Sequence, residues 1–113
     1  MSRSSTEQAN ELKLRVNAKG TVRIPLEVVR QLGWRLGGIT HVGVVNSRNG
    51  KRIVAANSEN LLPSRTTNVE LVSISNRGDV YIPRRVLAAA FKTTRTRFEG
   101  TLDTNSSRFY LKA

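Results

Sequence analysis

Eight basic side chains stand at or near two glycine turns and the helices expected to follow them: Lys13, Arg15, Lys19, Arg23 and Arg30 in the first half of the chain, Arg77, Arg84 and Arg85 in the second. Residues of this type in this clustering do phosphate chemistry. Ammonium and guanidinium groups displace the counterions of a polyanion, and arginines near a turn can also read bases or groove shape. The eight belong to a larger excess, 19 Lys and Arg against 8 Asp and Glu in 113 residues, for a net charge of +11 and an isoelectric point near 11.5. The excess runs through the chain instead of sitting in a tail, and a folded, strongly basic small protein most often meets nucleic acid. An anionic membrane surface is the rival partner, but the sequence has no long basic amphipathic helix and no apolar run long enough to span a bilayer.

Catalytic chemistry has little to stand on. The absence of cysteine removes disulfides, thiolate nucleophiles and Cys-based zinc sites together, and fits a reducing cytosol. His41 is the single histidine, and a lone strand histidine is far more often structural than catalytic. Glu7 and Glu11 could share a helical face but read as an ordinary solvated pair. No glycine-rich phosphate loop, metal-ligand cluster or nucleophile-base set is present. Trp34 reads as a core anchor, and Tyr81, Phe98, Phe109 and Tyr110 are too scattered for a base-stacking platform. The expectation is a binding protein, not an enzyme, with no cofactor and no metal.

The elements that must position the basic residues come in two copies. "RVNAKGTVRIP" (15–25) is answered 58 residues later by "SISNRGDVYIP" (73–83). Leu14, Val16, Lys19, Gly20, Val22, Ile24 and Pro25 fall opposite Val72, Ile74, Arg77, Gly78, Val80, Ile82 and Pro83, and glycine and proline keep both identity and separation. Each copy predicts two strands around a glycine turn, a short helix after the proline, and a second strand pair: 39–45 with 51–56 around "NSRNG", and 95–103 with 108–113 around "TNSS". Residues 1–10 read as a disordered basic arm, not a signal peptide. The first repeat is 11–56, the linker 57–68 and the second repeat 69–113. Each repeat is too small to hold a core alone, so both are expected to form one domain.

Within each copy a three-residue turn ending in a left-handed glycine sets a register. It pairs Val16 with Val22, Arg15 with Arg23 and Leu14 with Ile24, then Ile74 with Val80, Ser73 with Tyr81 and Val72 with Ile82. Arg15 and Arg23 thus fall opposite each other, a repulsive pair that phosphate would relieve. Val28, Val29 and Leu32 form the stripe of the first helix, with Gly33 as its C-terminal cap and Pro25 in its first turn. The second helix runs from Pro83 to about Phe91 without such a glycine. Arg84 and Arg85 open it, where positive charge opposes the helix dipole unless acids lie near. Arg95 and Arg97 read as charges on an exposed edge strand.

"VNAKGTVRIPLEVVRQLGW" resembles the AbrB/MazE/SpoVT family of swapped-hairpin DNA-binding proteins. The likeness is close over 12–56 and looser over 70–113, where Gly78 and Ile82-Pro83 keep the pattern. It implies a mainly β fold with short helices, a swapped-hairpin barrel in which two tandem ββαββ repeats form an intrachain pseudo-dimer, with a further homodimer left open. It also implies DNA contacts from Arg15 before the turn and Arg30 late in the helix. The residue after the turn glycine is commonly Arg in that family. Here it is Thr21, and in the second copy Asp79, which leaves Arg23 as the substitute in the first copy and Arg84 with Arg85 in the second. Residues 1–56 carry ten basic and three acidic residues, so the first copy is expected to bear more of the binding.

The expected function is duplex DNA binding in the cytoplasm, at the nucleoid, as a transcriptional regulator or chromatin-like architectural protein. The alternative is a protein-interaction module on the same barrel: an inhibitor of a host protein in a phage or virus, or an antitoxin-like partner. The chain ends at Ala113 without the acidic tail of an antitoxin, which argues against the latter.

Overall fold

The computed structural model describes residues 11–15, 20–48, 50–91, 97–103 and 105–112. In chain order these form β1 (Glu11–Arg15), β2 (Thr21–Arg23), α1 (Leu26–Gln31), β3 (Ile39–Ser47), β4 (Gly50–Ala56), a 3-10 turn (Glu59–Leu61), β5 (Thr67–Ser73), β6 (Asp79–Tyr81), α2 (Arg84–Ala90), β7 (Arg97–Asp103) and β8 (Arg108–Lys112). Among the described residues the protein is mainly β, with two antiparallel sheets and two short α-helices. One sheet has six strands in the order β1-β7-β8-β4-β3-β5, and the other pairs β2 with β6. Among the described residues the strands do not close into a barrel, the shape the family resemblance implies.

Alternation along the strands builds the core. Val42, Val44, Ile53, Ala55, Phe98, Leu102, Phe109 and Leu111 turn to one face of the large sheet and join Val22, Ile24, Val80, Ile82 and the apolar sides of both helices in one buried cluster. Trp34 is part of it, as its core-anchor reading expected. Val45, Val54 and Ala56 point the other way yet are also buried, because Leu62 from the 57–66 segment covers them. The stretch expected to be a plain linker is therefore packed, and its last residues, Thr67 and Asn68, already belong to β5.

The strand order has a symmetry. Exchanging β1 for β5, β3 for β7 and β4 for β8 returns the same order read from the other end. The registers follow: Leu14 lies opposite Phe98 and Val72 opposite Thr40, the same pair displaced by the 58 residues of the repeat. In the small sheet Val22 faces Val80, its own counterpart.

This pairing corrects the expected hairpins. β1 does not pair with β2. Leu14 faces Phe98, not Ile24; Arg15 faces Arg97; and Arg23 faces Asp79. In the second copy only Ile74–Val80 forms, as an isolated bridge, while Ser73 pairs with Ile39 and Val72 with Thr40. The partner of Val22 expected at Val16 lies outside the described residues. The physical reason is length. A three-residue strand such as β2 offers too little ladder for β1, whereas β7 matches all five of its residues. β7 lies between β1 and β8, so Arg97 is not on an edge strand; Arg95 lies outside the described residues.

The left-handed glycines stand as expected, while residues 16–19 of the first turn lie outside the described residues. Gly20 and Gly78 take φ of +87° and +86°. Each also meets the other copy: the Gly78 carbonyl accepts from Ile24 N–H at 2.9 Å and the Gly20 carbonyl from Ile82 N–H at 2.9 Å. Gly33 at φ +74° closes α1 in a Schellman motif, with Gly33 N–H bonding Arg30 O and Trp34 N–H bonding Val29 O. The prolines sit one place earlier than expected, at the N-cap, where the Pro25 and Pro83 carbonyls accept the first helical bonds.

Candidate nucleic-acid interface

The small sheet presents the most distinctive charged surface. Val22 and Val80 are buried beneath it, so the alternate residues Thr21, Arg23, Asp79 and Tyr81 lie on its outer side. Arg23 reaches across to Asp79, with Nε–Oδ1 at 2.9 Å and Nη2–Oδ2 at 3.4 Å. The hydrogen bond from Arg23 holds the Asp79 carboxyl below the usual carboxylate range, and the nearby charge of Arg77 acts in the same sense. The same bond raises the Arg23 guanidinium above its ordinary value. Ser75 Oγ braces the turn by accepting the N–H groups of Arg77 and Asp79 at 3.1 and 3.0 Å.

The repulsive Arg15–Arg23 pair is thus replaced by an attractive Arg23–Asp79 pair. Asp79, read in the sequence only as standing where the family commonly has Arg, is the partner of the arginine expected to bind phosphate. Nothing local could have found it. The signal was the repeat itself: in an antiparallel pair centred on Val22 and Val80, position 23 must face position 79.

The other sequence-derived residues are spread around this sheet. Arg77 is exposed at the second turn. Arg84 and Arg85 open α2 and line a groove together with Tyr81. Arg85 forms an ion pair with Glu70, the acid that offsets a cation at a helix start. Arg30 is exposed in the last turn of α1. The backbone of Lys13 and Arg15 lies in β1, where they face Glu99 and Arg97, while their side chains and all of Lys19 lie outside the described residues.

Arg35 was not singled out in the sequence. It stands in the loop whose Gly37 N–H and Gly38 carbonyl bond Ile74, which sets that loop beside the second turn. Among the described residues three acids hold basic side chains: Asp79 with Arg23, Glu70 with Arg85 and Glu99 with Lys112. Arg30, Arg35 and Arg84 have no acidic partner within that set, and Arg77 has no ion pair there but lies near Asp79. His41 is half-buried on β3 with Nδ1 lacking a partner among the described residues. No group of three or more His, Cys, Asp or Glu among the described residues could hold a metal ion, and none of the described helices is long and apolar enough to cross a membrane.

Comparisons with protein families, with curated proteins and with solved structures return no match.

Proposed function

We propose that the chain binds duplex DNA, as a transcriptional regulator or a chromatin-like architectural protein, and acts by binding without catalysis. The observation that carries this reading is the surplus of cations, +11 over the whole chain, with Arg30, Arg35 and Arg84 outside the ion pairs found among the described residues. Phosphate contacts supply most of the affinity in such a protein, and arginines near the turns supply base or shape readout. The residues assigned to the contact are Lys13, Arg15, Lys19, Arg23, Arg30, Arg77, Arg84 and Arg85.

The fold reading that accompanies it is a swapped-hairpin arrangement of two tandem repeats, each supplying strands the other lacks, as in the family the sequence resembles. Support comes from registers that repeat at the sequence offset of 58 and from the Val22–Val80 centre. The test of function is fluorescence anisotropy on a labelled duplex across a salt series. A steep linear fall of log K with log salt is expected. Failure to bind at low salt would overturn the reading. Recovery of bound DNA across a genome then separates a regulator, with discrete peaks, from an architectural protein, with uniform coverage.

A protein-interaction role is the second reading, and the open edge of β5 favours it.

A further inference from the structure

We propose that the groove beside β5 takes an extended, acidic segment of a partner protein, added to the large sheet as a further strand. Among the described residues β5 is the last strand of that sheet, with a ladder on one side only, to β3. After the Ile74–Val80 bridge the chain segments diverge, β6 turning into α2, and the space between β5 and α2 is an open groove of about 740 Å³. Leu71, Ser73, Tyr81, Pro83, Arg84 and Ala88 line it. Ile74 gives both its N–H and its carbonyl to the 37–38 loop. The alternation of an antiparallel ladder then turns the main-chain groups of Leu71 away from β3 and into the groove. An edge strand facing a helix across an apolar floor is the geometry that accepts an added strand.

The two ends of the sheet differ in a telling way. Among the described residues β1 is the other edge, and the sequence has Glu, Lys and Arg at 11, 13 and 15. Charges at such positions guard an edge against further pairing. Their counterparts on β5 are Val69, Leu71 and Ser73, with Leu71 60% and Val69 39% exposed. Ile39, opposite Ser73, and Tyr81 across the groove are 55% and 49% exposed. The one acid on this stretch, Glu70, is neutralised by Arg85. An exposed edge strand that carries apolar residues where the matching strand's sequence carries charges is open to docking. The charge selects the occupant: Arg84 in the groove has no acidic partner among the described residues, and a second copy of a chain carrying +11 is repelled where an acidic segment is drawn in.

The test uses the full chain, isotope-labelled for amide NMR, and a capped eight-residue peptide alternating valine and glutamate. Saturable shifts confined to residues 69–73 and 81–88 are expected, with none from the valine–lysine counterpart. Arg84→Glu and Leu71→Lys, both at exposed positions, should each weaken binding about tenfold or more, while Arg48→Glu in the β3–β4 turn, which does not line the groove, should leave it unchanged. Shifts scattered over the basic surface, or equal weakening by Arg48→Glu, would reduce the effect to general charge attraction and overturn the proposal. So would concentration-dependent broadening at Leu71 without peptide, which would assign the edge to a second copy.

Discussion

Asp79 decides how much of the Arg23 charge is available to a polyanion. The guanidinium is 62% exposed and the carboxylate 26%, so the pair sits at the surface with its fork already filled. Phosphate must compete with that carboxylate. Asp79→Asn is therefore expected to tighten duplex binding and to steepen log K against log salt by up to about 0.9, the increment of one added phosphate contact. An unchanged slope in a variant that still binds would remove Arg23 from the interface. The same pair fixes a pH dependence. Because the folded-state pKa of Asp79 is lowered, its stabilisation is present above the unfolded-state value and is lost as pH falls through the folded one. The stability gap between wild type and Asp79→Asn, read by denaturant unfolding, should be open at neutral pH and closed in acid. At the turn beside it, Gly78 combines a left-handed φ with an approach to the Ile24 carbonyl that leaves no room for a Cβ. Gly78→Val is expected to destabilise by roughly 1–3 kcal/mol or more, and Pro83→Ala by under about 1 kcal/mol, since an N-cap proline only preorganises the start of α2. Equal effects in thermal unfolding would contradict the turn.

At the scale of elements, what was legible and what was not divide along the range of the interaction. The prolines, the capping Gly33, the two left-handed glycines and the strand pairs 39–45 with 51–56 and 95–103 with 108–113 are local signals, and each element stands close to its expected place. Strand partners are not local. A glycine turn reads as a hairpin because a hairpin is the shortest way to satisfy a ladder, and nothing within residues 11–25 says that β1 will find a better-matched strand more than eighty residues away. The packing of the 57–66 segment was hidden for a similar reason. Its polar composition reads as a linker, but Leu62 is 7% exposed, and the Leu61 carbonyl accepts from Arg108 Nε at 2.6 Å. Leu62→Ala should accordingly cost about 2 kcal/mol, the low end for a buried leucine because its cluster is small. Denaturant unfolding measures the loss, and a neutral result would return the segment to the status of a tether.

For the whole molecule, neither half owns its sheet. Residues 1–57 leave β1 without β7, β2 without β6 and β4 without β8. That fragment is expected to stay largely unfolded or to dimerise, and a cooperative, concentration-independent thermal transition in a monomer would contradict the interleaved arrangement. The basic residues follow the same logic: the charge surplus was plain from composition, while the pairing that neutralises Arg23 emerges only when the halves meet. The β1–β7 pairing also bears on how the chain is born. β1 ends at Arg15 and its partner begins at Arg97, so during synthesis at about 5–20 residues per second the first strand waits roughly 4–16 s for its neighbour to emerge. Throughout that interval the nascent first half exposes the surface that fits a second half. On a crowded polysome the nearest second half can belong to another chain, and halves that interleave this way give neighbouring nascent chains a route to pair before either ribosome has finished.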